Sequence, residues 1–119
     1  MLELMNVGAD DVVAVRGSGE ITKDDYLSVL VPAAEAAFSK HDKIRVLYVV
    51  EDDAHYEGGA MLEDALMGVK HLLGWDKVAV VTDVEWMRKA VSLFRFLMPC
   101  PVRLFAKPEL KEAESWIQS

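Results

Sequence analysis

Two spacings of apolar residues alternate along this chain, and each change of spacing marks a new element. Leu2 to Met5 and Val12 to Arg16 are short apolar runs. Between them Val7-Gly8-Ala9-Asp10-Asp11 has turn chemistry, which predicts a hairpin. Gly17 and Gly19 end the second run. Thr22 then offers an N-cap hydroxyl, with Asp24 and Asp25 in the first turn where acids favour the helix dipole. Leu27, Leu30, Val31, Ala34, Ala37 and Phe38 recur at three- and four-residue steps, so an amphipathic helix runs to about Lys40. Pro32 lies inside it without the N–H that would bond the Ser28 carbonyl, which predicts a kink.

From Ile44 to Val50 polar alternation nearly vanishes, as in a strand covered on both faces. The acidic loop Glu51 to Gly59 follows. A second helix is expected over about Ala60 to Leu73, with Leu62, Ala65, Leu66, Val69, Leu72 and Leu73 on one side and Gly74 as its stop. Lys77 to Thr82 reads as another strand. Asp83 is placed to cap a helix from Val84 to about Leu97, ended by Pro99 and Pro101. Val102 to Ala106 reads as the last strand. Pro108 opens a short final helix with Leu110, Ala113, Trp116 and Ile117 inward. The order β-β-α-β-α-β-α-β-α predicts an α/β fold. Its single, mainly parallel five-stranded sheet carries an antiparallel N-terminal edge hairpin and about four helices.

Composition narrows the classes. At 119 residues the chain is expected to be one domain over 1–119, and 52% apolar content supports a core. A net charge of −7 argues against nucleic acid, because phosphate binding needs a positive field. An anionic membrane surface is disfavoured for the same reason. The first residues lack the basic and long apolar regions of a secretory signal, and no apolar stretch approaches a membrane span. The single cysteine, Cys100, has no disulfide partner in the chain. These features together predict a cytoplasmic protein.

Several segments in order resemble one family. They are Gly19-Glu20-Ile21-Thr22-Lys23-Asp24-Asp25-Tyr26 with Pro32 downstream, Lys43-Ile44-Arg45-Val46-Leu47, and Asp76-Lys77-Val78-Ala79-Val80-Val81-Thr82-Asp83. Pro101-Val102-Arg103-Leu104-Phe105 and Glu112-Ala113-Glu114-Ser115-Trp116-Ile117 complete the set. The chain is similar to the STAS domains of anti-sigma-factor antagonists and resembles more closely the bacterial SpoIIAA-like family. Members of the SpoIIAA-like family are usually described as being of unknown function, so the resemblance implies the fold and transfers no functional residue. In the antagonists a serine at the start of the helix after the third strand is phosphorylated, which adds about −1.5 to −2 charge and releases the partner. Here the corresponding stretch is Glu51 to Asp64, and no serine or threonine occurs between Lys40 and Val81. The phospho-switch does not carry over.

Candidate chemistry is sparse. Asp52, Asp53, His55 and Glu57 offer oxygen ligands and an imidazole, but their spacing matches no metal cage, and no cofactor is expected. A His55–Asp53 acid/base pair lacks a nucleophile. Gly17-Ser18-Gly19 follows a strand without the third glycine of a dinucleotide turn. Cys100, between two prolines, reads as a small apolar packer. The helix from Val84 to Leu97 carries more signal. Met87, Ala90, Phe94, Leu97 and Met98 are expected to face inward, and Glu85, Arg88, Lys89, Ser92 and Arg95 outward. Phe96 falls within that polar face, with Trp86 and Leu93 at its margin, although docking on a sheet needs only one apolar stripe. Trp86, Leu93, Phe96 and Met98 are therefore the candidate contact residues of a non-enzymatic domain that associates with itself or another protein. Two alternatives stay open. One is a small apolar ligand or lipid, held by adaptable methionines at 61, 67, 87 and 98, as the resemblance to CRAL-TRIO-type domains implies. The other is a metal-assisted enzyme using the acidic loop.

Overall fold

The computed structural model describes residues 1–59, 70 and 73–119. The helix expected over Ala60 to Leu73 thus lies almost wholly outside the described residues, as do Met61, Met67 and His71. Five strands form the main sheet: β1 (Leu2–Met5), β2 (Val12–Gly17), β4 (Ile44–Val50), β6 (Trp75–Thr82) and β7 (Val102–Phe105), side by side in that order. Only β1 and β2 pair antiparallel; β2–β4, β4–β6 and β6–β7 are parallel. The predicted edge hairpin and parallel sheet are both present. Among the described residues no helix is long and apolar enough to cross a membrane.

Strand alternation divides the core in two. Side chains two residues apart share a face. Leu47 and Val49 of β4 and Ala79 and Val81 of β6 lie with Ala14 and Phe105 beneath the C-terminal helix α4 (Leu110–Gln118), which inserts Ala113 and Ile117. Val15, Val46, Tyr48 and Val50 lie on the other side, with Tyr26, Leu30 and Ala34 packed on them. Helix α3 (Glu85–Phe94) covers the far end of that side, where Val91 meets Val80 and Val102. Arg45 ties α4 down: its guanidinium bonds the Ile117 carbonyl at 2.9 Å and the Asp76 carboxylate at 3.0 Å.

Three local features depart from the sequence reading. The first concerns Pro32. Thr22 does cap the first helix and forms a capping box with Asp25, but the expected kink takes the form of a wide turn. A single α-turn, α1 (Lys23–Asp25), passes into a π-helical turn at Tyr26–Leu30 and then into α2 (Val31–Lys40). The Val31 N–H bonds the Tyr26 carbonyl five residues back, just before the residue that has no N–H to give. The extra residue rotates the stripe, so Tyr26 and Leu30 are buried and Leu27 faces solvent.

The second departure is at Asp83, which does not cap the helix after β6. The N-cap is Val84, and its N–H is bonded by the fully buried Thr82 hydroxyl at 3.0 Å. Asp83 instead accepts from the Lys107 N–H at 3.1 Å. The helix also ends at Phe94, and Arg95 to Leu97 turn more tightly, with Leu97 N–H on the Phe94 carbonyl. The third is a separate two-stranded parallel ladder between β3 (Glu20–Ile21) and β5 (His55–Tyr56), inside segments that read as turn and loop.

Candidate functional site

Helix α3 is turned relative to expectation. Its one buried residue is Val91, with Met87 half-buried beside it, whereas Phe94 is 46% and Leu97 76% exposed. Arg88 explains the turn. Expected in solvent, it reaches inward and donates to the Thr82 carbonyl at 2.8 Å and the Phe105 carbonyl at 3.3 Å, at the ends of β6 and β7. Carbonyls at strand ends need donors, and one guanidinium serves both. The rotation leaves Trp86, Ala90, Leu93, Phe94 and Leu97 along one uncovered arc.

The expected contact residues fall in two places. Trp86, Leu93 and Phe96 are 45, 75 and 78% exposed. Met98 is half-buried against the Val80–Val91–Val102 cluster and so lies on the core side. Charges beside the exposed group are already engaged. Lys89 pairs with Glu85 at 3.2 Å, and the Arg95 guanidinium stacks 5.4 Å from the Phe96 ring.

Between α3, the π turn and the sheet lies a cavity of about 370 Å³ that is mostly apolar among the described residues. Its floor is Val46, Tyr48, Val78 and Val80; Trp86, Ala90 and Phe94 form one wall. Three phenols meet at its other side. The Tyr56 hydroxyl donates to Tyr48 Oη at 2.8 Å, and Tyr26 Oη lies 3.1 Å from the same atom. Each comes from a different element. Tyr48 points up from β4, Tyr26 is turned in by the π turn, and Tyr56 is positioned by the β3–β5 ladder. The Tyr56 ring also meets Trp86 edge-on at 5.8 Å, which joins the cluster to α3. Sequence reading singled out none of these tyrosines, because two of them depend on local structure with no periodic signature. A tyrosine opening an apolar helix stripe was the available sign.

The acidic loop is occupied with its neighbours. Glu51 bonds the Lys107 ammonium at 2.9 Å and faces Arg16 at 3.6 Å. The hydrogen bond that the Lys107 ammonium donates to Glu51 raises the Lys107 pKa above its usual value. Glu57 accepts from the Lys23 N–H at 2.6 Å, at the start of α1. His55 is exposed, 3.9 Å from Glu20, with Nδ1 3.3 Å from the Asp53 carbonyl. Asp52 reaches only to 3.9 Å from Lys107. Among the described residues no three acidic, histidine or cysteine side chains converge as a metal site. The loop braces β3, β5 and the turn after β7.

The glycines before Thr22 answer to backbone geometry. Gly19 has φ of +56°, and a Cβ on Gly17 would stand 2.7 Å from Ile21 Cδ1. Cys100 packs half-buried against the core, and burial raises its thiol pKa, so it is a poor thiolate.

Residues 12–118 match the family model described as SpoIIAA-like. A crystal structure of an uncharacterised DUF3478-family protein with a SpoIIAA-like fold, from Shewanella loihica, is similar with a TM-score of 0.74. The likeness covers 98% of this chain and 92% of that one at 19% identity, a level that establishes the fold. None of the curated proteins compared with the chain matches it.

Proposed function

Because the chain belongs to the SpoIIAA-like family, we propose that it is a non-enzymatic domain acting through protein association, first of all with a second copy of itself. The observation that carries this is the apolar group on α3 and the turn after it. Leu93, Phe96 and Leu97 each keep at least 75% of their surface exposed, and Trp86 and Phe94 nearly half. Contiguous apolar surface of this kind marks association sites. The charges beside it are engaged, Lys89 with Glu85, Arg95 with Phe96, and Arg88 with backbone carbonyls. Two such surfaces can therefore meet without opposing uncompensated charge.

By the family resemblance the loop after β4 corresponds to the place where the antagonists carry their phosphoserine, and this domain has no serine or threonine there to switch. Association is then regulated by concentration and by what occupies the surface. Sedimentation velocity over a hundredfold range of concentration tests the reading. We expect a dimer or larger species that Phe96→Asp converts to monomer with an unchanged far-UV spectrum. A wild-type monomer throughout would refute self-association.

A further inference from the structure

We infer that the two edges of the main sheet pair with each other between copies, β7 of one copy receiving β1 of the next. This surface is separate from the apolar group on α3 and does not rest on that contact. Among the described residues β1 pairs only with β2 and β7 only with β6, so each strand leaves one side of its backbone unpaired. Hydrogen-bond parity tells which residues face out. The Ser18 N–H bonds the Met1 carbonyl at 2.9 Å, so Glu3 and Met5 bond inward to β2, while Leu2 and Leu4 turn their peptide groups outward. The Val78 N–H bonds the Pro101 carbonyl at 3.0 Å, so Arg103 and Phe105 bond β6, while Val102 and Leu104 turn outward. Leu2 and Val102 are buried, whereas Leu4 is 58% exposed and Leu104 is half-buried. The contact therefore centres on Leu4 opposite Leu104.

Direction, face and charge agree on this pairing. β1 runs antiparallel to the other strands, so a copy set beside β7 in the same orientation presents β1 antiparallel to it. Leu4 shares the α2 face of the sheet with Leu2, and Leu104 lies on the same face against Val80, Val91 and Val102. The exposed Leu4 is thus covered by another leucine. Glu3 lies on the opposite face, as do Arg103 and Phe105. With Leu4 opposite Leu104, Glu3 of the next copy stands across from Phe105, and the Arg103 guanidinium already lies 4.8 Å over that ring. Among the described residues neither Glu3 nor Arg103 has an ion-pair partner; Arg16, opposite Glu3 on β2, is turned to Glu51 at 3.6 Å. Identical edges fit less well. β7 against β7 brings two Arg103 side chains onto one face, β1 against β1 two Glu3, and neighbouring like charges destabilise a strand pair. The favoured contact is head-to-tail. Strand twist of roughly 20–25° per strand turns each copy against the last, so the contact gives an open row rather than a closed pair.

The test follows amide shifts of ¹⁵N-labelled full-length protein as its concentration is raised, with Phe96→Asp as host so that the α3 contact plays no part. Between about 0.05 and 1 mM we expect the amides of Leu4 and Leu104 to move together, with a Kd on the order of 0.1–1 mM for so short a contact. Glu3→Arg and Arg103→Glu, both at exposed positions, should each weaken the contact about fivefold or more. An equimolar mixture of the two variants should restore it, because each copy then meets opposite charge at both edges. A variant that had merely lost its fold would not regain the contact on mixing. Shifts at one edge only or at neither would overturn the assignment. So would a Glu3→Arg variant that associates as well as its parent, or a mixture no stronger than its components. Sedimentation of the chain without Phe96→Asp reads the α3 contact separately: a monomer at micromolar concentration refutes that contact and leaves the edge shifts to be judged alone.

Discussion

The two faces of one sheet are covered in opposite ways. On one, α4 lies close. Ala113 carries only a methyl group, Ile117 and Ala113 are wholly buried, and Leu47, Val49, Ala79 and Val81 are sealed beneath them. On the other, Tyr26, Leu30 and Ala34 pack on β2 and β4, while α3 buries only Val91 and, among the described residues, borders a cavity of about 370 Å³. The same strands supply both faces, through alternate residues of Leu47-Tyr48-Val49-Val50 and Ala79-Val80-Val81. The difference comes from the helices. A small residue at the point of closest approach lets α4 seat on the sheet, whereas the inward Arg88 fixes α3 by its N-terminal half. Its aromatic residues are left beside the space rather than in it. The face under α4 is closed throughout, whereas the other has a core of its own at the π-turn end and is open beside α3, where the exposed apolar surface lies.

Paired substitutions test that division. Leu47→Ala, under α4, should cost about 2–5 kcal/mol in denaturant unfolding. Phe94→Ala, beside the cavity, should cost less than about 1 kcal/mol although it removes a larger side chain, because half of that ring is already in water. Both need the same protein concentration, since association adds to apparent stability. Equal losses would mean that the two faces are packed alike.

A smaller effect comes from adding volume. Ala113→Leu should destabilise by about 1–3 kcal/mol, because the closed face has no room for three more carbons. Ala90→Leu should change stability by no more than about 0.5 kcal/mol, since the added atoms enter space already open. Thermal melting of the two variants side by side is sufficient. A neutral Ala113→Leu would show slack under α4 and remove the contrast.

The closed face was largely legible in the sequence and the open face was not. β4 announced itself by an unbroken apolar run, and the final helix by Leu110, Ala113, Trp116 and Ile117 at helical spacing. In both, periodicity and burial agree, and Ala113 and Ile117 are buried as expected. On the open side periodicity was a poor guide. It placed Phe94 and Leu97 inward and Arg88 outward, because a helical wheel sees hydrophobicity and not the two carbonyls that Arg88 serves. It also missed Tyr26 and placed Leu27 inward, because the π turn sets Tyr26 rather than Leu27 on the stripe with Leu30, Ala34 and Ala37. The β3–β5 ladder is only two residues long on each side, too short for alternation to show, yet it positions Tyr56. Trp86, Leu93 and Phe96 were legible as aromatic and aliphatic residues in excess of what one stripe requires.

The smallest predicted effect concerns how the open face is anchored. Tyr26 enters the tyrosine cluster one residue after Asp25, whose carboxylate accepts from the Thr22 N–H at 2.8 Å while the Thr22 hydroxyl accepts from the Asp25 N–H at 3.2 Å. The bond from the Thr22 backbone is the main reason that the Asp25 pKa is lowered; partial burial opposes it, and the Thr22 hydroxyl adds to the lowering. A carboxyl group held below its unfolded value, about 3.9, binds its proton less readily in the folded chain. Its contribution is therefore complete above that pH and is lost as the pH falls through the lower folded value. Thr22→Ala should cost about 1 kcal/mol at pH 7 through loss of the cap. Asp25→Asn should flatten part of the stability decline below pH 4, because asparagine has no proton to gain. Urea unfolding of wild type and Asp25→Asn at pH 7 and pH 3 separates the two contributions. If the acid slope is the same in both, the start of the open face is held by the packing of Tyr26 and Leu30 rather than by its capping box.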